Sequence, residues 1–197
     1  KGIVKFTGGT PAVISYPAGI ALTDVCKSGT DGRRYYCYNG ERIYVYDTWY
    51  GLWHIEDSPE VKQFYTEGDG LYMLCDDGIY LLGSGTERVA WEFETKDYTF
   101  DVKERKNLSK LWARVFMERN SRLEVYVRSD GGAYSRVAHY QADRDSMFDF
   151  KVRVKKCDSF TLKFKGEGDV RLLDLHGRVT VSSSKHRSGQ NLSVFRR

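Results

Sequence analysis

The chain has only three prolines in 197 residues, and no apolar run approaches the ~20 residues of a membrane-spanning helix. Its four cysteines, Cys26, Cys37, Cys75 and Cys157, include no CxxC pair, which argues against a structural zinc site. Most sit in apolar strand patterns and read as buried free thiols, which fits a reducing compartment. The four histidines, His54, His139, His176 and His186, are scattered, with no HxH or HExxH spacing. No phosphate-binding P-loop or GxGxxG is present. "RSDGGAY" reads as a hairpin turn and "GEGD" (166–169) as a tight turn between strands. No cofactor, metal site or catalytic residue is therefore expected. No signal peptide is legible, and the sequence opens on Lys1 without Met, as a cleaved product or a fragment would, so export stays open.

What is present is strand chemistry. Aromatic residues make up 14%, with 14 Tyr, and Gly occurs 19 times. Tyr, Val and Phe fit a pleated, half-buried surface and Gly punctuates it, so the expected class is all-β. A hydrophobic fraction of 41% is that of a globular protein, long enough to bury a core without disulfides. The net charge of +4 conceals an asymmetry. Residues 1–89 hold 8 Lys/Arg against 12 Asp/Glu, net −4, and residues 90–197 hold 23 against 15, net +8. Two modules with different surfaces are expected.

Residues 1–31 carry a turn at Gly8-Gly9 before Pro11 and read as the end of an earlier repeat. From Arg33, "RRYYCY", Asn39-Gly40 and "ERIYVYD" predict a hairpin with a two-residue type I′ turn. "TWYG" turns again into "LWHIED". "VKQFYTE", Gly68-Asp69-Gly70, "LYMLCD", Asp77-Gly78 and "IYLLG" repeat the idea at about the ~40-residue spacing of propeller blades. "GSGTE" (83–87) is the linker candidate. After it, period-2 alternation places Leu111, Ala113, Val115 and Met117, then Leu123, Val125 and Val127, then Phe148, Phe150, Val152 and Val154, then Phe160, Leu162 and Phe164 on inward faces. The predicted architecture is a propeller-blade-like antiparallel meander over 1–84, a jelly-roll-like β-sandwich over 88–182, and a polar basic tail over 183–197.

The densest stretch is "YVYDTWYGLWHIED" (44–57). Trp49, Tyr50 and Trp53 are candidates for an aromatic platform for sugar rings, or for an interface. Packing of Trp53 with Ile55, and capping of a hairpin by Trp49-Tyr50, is the competing structural reading. Glu56 and Asp57 are adjacent and point to opposite strand faces, a poor acid–base pair. His54 and Glu56 share a face, but no nucleophile motif accompanies them. Lys151, Arg153, Lys155, Lys156, Lys163 and Lys165 form a basic row, read here as a candidate contact face for phosphates or acidic partners. Base-stacking aromatics do not share its parity, so nucleic acid is open but not favoured, and alternating lysine also keeps a sheet's outer face wet.

The order "YYCYNGERIYVYDTWYGLWHIED", "FYTEGDGLYMLCDDGIYLL", "WEFET", "KNLSKLWARVFM", "LEVYVRSDGG" and "VKKCDSFTLKFKGEGDVRLLDL" resembles virion structural proteins of tailed bacteriophages and prophages, of the phage-stabilisation or neck–tail type. The resemblance spans roughly residues 33–182 and is one of pattern order, not of catalytic residues. It implies a propeller-like region ending in this hairpin, a following β-sandwich, and a longer chain with earlier blades. It also implies a non-enzymatic role in neck or tail assembly, other virion proteins as partners, self-association, and location in the virion after synthesis in the bacterial cytoplasm. The alternative expectation is a carbohydrate-binding module of a tail or surface protein. A glycoside hydrolase fragment would need a cleft carboxylate pair, and none is legible.

Overall fold

The computed structural model describes residues 2–20, 26–85, 87–100, 103–141, 146–182 and 187–193, with the backbone alone for Pro17, 146–153, 155, 182 and 187–193. The fold is all-β and antiparallel, with a short 3₁₀ turn at Tyr16–Ala18 the one helical element among the described residues. The chain divides into two units, Lys1–Thr86 and Glu87–Arg197.

The first unit opens with the hairpin β1 (Val4–Lys5) and β2 (Ala12–Val13). A four-stranded meander follows: β3 (Lys27–Thr30), β4 (Arg34–Tyr38), β5 (Ile43–Asp47) and β6 (Leu52–Glu56). A three-stranded meander closes the unit: β7 (Val61–Glu67), β8 (Gly70–Cys75) and β9 (Ile79–Leu81). Directly opposed residues share a sheet face. Tyr36 opposes Val45 and Tyr38 opposes Ile43, and these four pack on Val61, Phe64, Leu71, Met73 and Cys75 of the next sheet. Each such buried side chain contributes roughly 1.5–3 kcal/mol of transfer free energy. Gly29 permits the approach, since a Cβ there would lie 2.6 Å from Phe64 Cβ and 3.0 Å from Leu71 Cδ1. On the opposite face, Trp53 Nε1 donates to the Ile14 carbonyl at 2.7 Å, and the Lys5 ammonium lies 5.8 Å from the Tyr46 ring centroid. The hairpin, the first meander and the second meander are thus layered in chain order.

The Asn39-Gly40 turn differs from expectation. Tyr38 pairs with Ile43, so residues 39–42 form a four-residue loop rather than a two-residue type I′ turn. Gly40 has φ 104°, while Asn39 is not among the residues with positive φ. Asn39 Oδ1 instead accepts the N–H groups of Glu41 and Arg42, both at 3.1 Å, an Asx arrangement that stabilises the wider loop.

The second unit holds β10 (Ala90–Glu94), β11 (Lys106–Met117), β12 (Arg122–Ser129), β13 (Ser135–Gln141), β14 (Ser146–Cys157), β15 (Phe160–Glu167), β16 (Val170–Ser182) and β17 (Arg187–Ser193). One sheet has the order β10-β15-β12-β13, the other β14-β11-β16-β17. A single core draws Leu111, Ala113 and Val115 from one sheet and Val125, Leu162 and Phe164 from the other, which makes the unit a β-sandwich. Residues 187–193, expected in a tail, pair along β16 from Ser182↔Arg187 to His176↔Ser193. Their polar composition suits an edge strand as well as it suits a tail. The other tail residues, 183–186 and 194–197, lie outside the described residues.

Candidate functional site

The turn between β5 and β6 is organised by Asp47. Its Oδ1 accepts the N–H groups of Trp49 at 2.9 Å and Tyr50 at 3.1 Å, and its Oδ2 pairs with the Arg33 guanidinium at 3.0 Å. Burial alone would push this carboxyl up. The Tyr50 and Trp49 N–H groups and Arg33 outweigh it and hold the carboxyl below its ordinary range. Arg33 in turn lies 4.8 Å from the Trp49 ring centroid and 5.7 Å from that of Tyr50. Both rings stay open to solvent, Trp49 at 75% and Tyr50 at 70% exposure. They are an aromatic pair pinned by one cation, with contact area available to a partner.

Trp53 does not join them. Strand alternation turns its ring under the β1–β2 hairpin, half-buried and 5.0 Å from Tyr46 at 44°. The expected three-residue platform is therefore a Trp49–Arg33–Tyr50 cluster in the turn, with Trp53 as a packing residue beside it. Ile55, expected as core with Trp53, is 49% exposed. Two clefts flank the hairpin. One, about 530 Å³, is lined by Ile3, Ile14, Cys26, Tyr35, Cys37 and Tyr46 among others. The other, about 600 Å³, is lined by Val13, Trp53, His54 and Ile55 among others. Burial pushes the Cys37 thiol up to about 11, so at neutral pH it is protonated and a weak nucleophile.

Two further polar groupings of this region are surface pairs. His54 Nε2 lies 2.9 Å from Glu56 Oε1, on the shared strand face that alternation requires, with His54 exposed and Glu56 half-buried. Lys62 bridges Glu60 and Asp76 at 3.1 and 3.2 Å.

The basic row divides between sheets. Lys163 and Lys165 lie on β15, opposite Glu94 and Glu92 of β10. Lys163 Nζ is 2.7 Å from Glu94, and Lys165 Nζ is 2.9 Å from Glu92. The Tyr134 hydroxyl also donates to Glu94 at 2.7 Å, and Lys163 and Arg128 lie over the Tyr134 ring at 4.6 and 4.8 Å. These hydrogen bonds, that of Lys163 first, hold the Glu94 carboxyl below its ordinary range. Lys151, Arg153 and Lys155 lie on β14 in the other sheet, and their side chains are outside the described residues. The two rows therefore do not share one sheet face, because the chain crosses between sheets at Cys157–Phe160. Lys156 leaves strand geometry at φ 54° and is exposed.

Sequence reasoning missed three groups. Glu124 gathers the Tyr126 hydroxyl at 2.6 Å, Arg136 at 3.1 Å and His139 Nδ1 at 3.3 Å. Asp130 accepts the N–H groups of Asp158 at 2.7 Å and Ser159 at 3.0 Å. Lys106, 1% exposed, donates to the Asp158 carbonyl at 2.8 Å and the Glu104 carbonyl at 3.3 Å. The last two clamp the β14–β15 crossing. Alternation alone does not foretell these clusters, since Arg136, His139, Asp158 and Ser159 reach them from other strands and turns.

Among the described residues no group of three His, Cys, Asp or Glu side chains gathers as a metal site would. Among them also, no helix is long and apolar enough to cross a membrane. Compared with known protein families and with curated proteins, the chain matches no family and no relative.

Proposed function

We propose that this chain is a non-enzymatic structural protein of a tailed-phage or prophage particle, acting through protein–protein contacts at the neck or tail. The observation that carries the reading is the distribution of apolar surface. In the first unit Val4, Phe6, Tyr16, Trp49, Tyr50, Leu52 and Ile79 are each 49% or more exposed, whereas the polar clusters are taken up in turns, caps and ion pairs. Apolar surface of this kind marks interaction sites. Rigid antiparallel modules suit repeated contacts in a many-copy particle, where modest affinities multiply. The resemblance in strand order to virion proteins supplies the particle as the setting.

The test is mass spectrometry of particles purified from the source phage or induced prophage. The chain should be recovered in stoichiometric amount with the neck and tail proteins. Its absence from intact particles would falsify the assignment.

A second reading, a carbohydrate-binding module, is favoured by the exposed Trp49 and Tyr50 rings. Glycan binding that Trp49→Ala lowers at least tenfold would support it, and no binding above background would remove it.

A further inference from the structure

Two of the four thiols meet at one cleft of the first unit. Ser28 of β3 opposes Cys37 of β4, and Cys26 lies two residues before Ser28, so alternation puts Cys26, Ser28 and Cys37 on one sheet face. That face carries the cleft of about 530 Å³ beside the β1–β2 hairpin, and Cys26 and Cys37 both line it. The two thiols are hydrogen-bonded to each other, and the Tyr35 hydroxyl joins Ser28 and Cys37. Cys37 is 2% exposed, whereas Cys26 is half-buried and within reach of a small reagent. The other two thiols are placed differently. Cys75 packs in the core between the two meanders, and Cys157 donates to the Lys106 carbonyl at 3.4 Å.

We propose that Cys26 and Cys37 are a redox pair, which a small-molecule disulfide converts to a Cys26–Cys37 disulfide that ties the start of β3 to β4. The pair goes beyond the assembly reading and does not depend on it. The chemistry is two thiol–disulfide exchanges. The more accessible Cys26 loses its proton, and its thiolate attacks one sulfur of the reagent. A mixed disulfide forms and one reagent thiol leaves. Cys37 then gives up its proton and attacks Cys26 Sγ, which breaks the mixed disulfide and releases the second reagent thiol. The protein gives up two protons and two electrons, and the reagent takes up both as two thiols. Burial first, and the neighbouring Cys26 thiol second, hold the proton on Cys37 at neutral pH, so the second exchange is the slower one and quickens as pH rises. A disulfide needs its Cβ atoms roughly 4 Å apart. Cys26 precedes the first ladder pair, Lys27↔Tyr38, so a shift at Cys26 that closes this distance leaves the β3–β4 register in place.

The test takes the reduced 197-residue chain into buffers of oxidised and reduced glutathione, then alkylates it in denaturant and digests it with trypsin. Cleavage after Lys5, Lys27, Arg34 and Arg42 yields peptides 6–27 and 35–42. These should be recovered joined through Cys26 and Cys37, with Cys75 and Cys157 alkylated. The joined chain should melt about 5–10 °C above the reduced one by circular dichroism, because the crosslink restricts the unfolded chain. Two variants separate the roles. Cys37→Ala should stop at a single glutathione on Cys26. Cys26→Ser should take glutathione on Cys37 about tenfold more slowly or less, as burial of that thiol requires. The wild-type peptide map reads the pair on its own should either variant misfold. No joined peptide after equilibration in oxidised glutathione, Cys75 or Cys157 joined in equal yield, or a joined chain that melts no higher than the reduced one would each overturn the pair. The virion assignment would stand or fall separately, on the particle mass spectrum.

Discussion

Lys163 and Ile79 both project from strands on the side away from a core, and the environment of each reflects its unit. Lys163 lies within a lattice of Glu92, Glu94 and Tyr134 that gives its sheet a charged, satisfied outer surface. Ile79 stands 60% exposed beside Leu74 and Leu81. The sandwich alternates apolar with charged residues along β11, β12 and β15, so one face of each strand builds the core and the other meets water. In the first unit "YYCY", "IYVY" and "LYML" place apolar residues on both faces. That is the pattern of sheets covered on both sides, and the outermost layers lack one cover. The same strand propensities therefore give strands with one wetted face along β11, β12 and β15 and strands apolar on both faces in the first unit.

The largest test of this contrast is a core truncation against an outer-face one. Phe160 is fully buried among Tyr98, Phe100 and the sandwich core. Phe160→Ala should cost about 3–5 kcal/mol in chemical denaturation. Ile79→Ser should stay within about 0.5 kcal/mol in the monomer, as substitutions away from the core do. Equal losses would mean that the β7–β9 face is not open. Next in size are two glycines on which aromatics sit. A Cβ on Gly166 would lie 2.1 Å from Trp91 Cζ2, and one on Gly29 2.6 Å from Phe64 Cβ. Gly166→Ala should destabilise the sandwich by about 1–3 kcal/mol, and Gly29→Ala the first unit by a similar amount. Hydrogen exchange should localise each loss to its own unit, and a loss that spreads over both would show them to unfold together.

The sequence reading succeeded where the information is local. Alternation placed Leu111 to Met117 and Leu123 to Val127 in the core, and the Gly-rich stretch at 83–87 coincides with the division between units. It failed where partners are remote. Strands β3, β13 and β17 are short or polar and were not expected, because what holds them is ladder pairing with a neighbour rather than their own apolar pattern. The basic row looked continuous because β14 and β15 follow one another in sequence, yet the turn at Asp158-Ser159 carries the chain to the other sheet. The aromatic site was half legible. Trp49 and Tyr50 are where a turn must expose them, but the role of Trp53 depends on Ile14, 39 residues earlier.

The smallest expected effect separates the units by pH. Glu92, Glu94 and Asp130 of the sandwich all have folded values below their ordinary ones of 4.5 and 3.8. The leading causes are hydrogen bonds from Lys165 to Glu92, from Lys163 to Glu94 and from the Ser159 N–H to Asp130. Their contribution is present above those ordinary values and is lost as pH falls through the lower folded ones, since the unfolded chain takes up protons first. Most of these groups face solvent, so the acid slope should be shallow and weaken in salt. Cys37 runs the other way. Burial raises its thiol from 9.0 to about 11, so the native form keeps a proton that the unfolded chain releases. That contribution is intact below about 9 and is lost as pH climbs through about 11. Hydrogen exchange of β3–β5 should therefore quicken over that interval, and Cys37→Ala should flatten the rise. An identical rise in the variant would mean that the thiol meets water freely, and that the hairpin does not cover this face of the sheet. The layered stack would then lose its first layer.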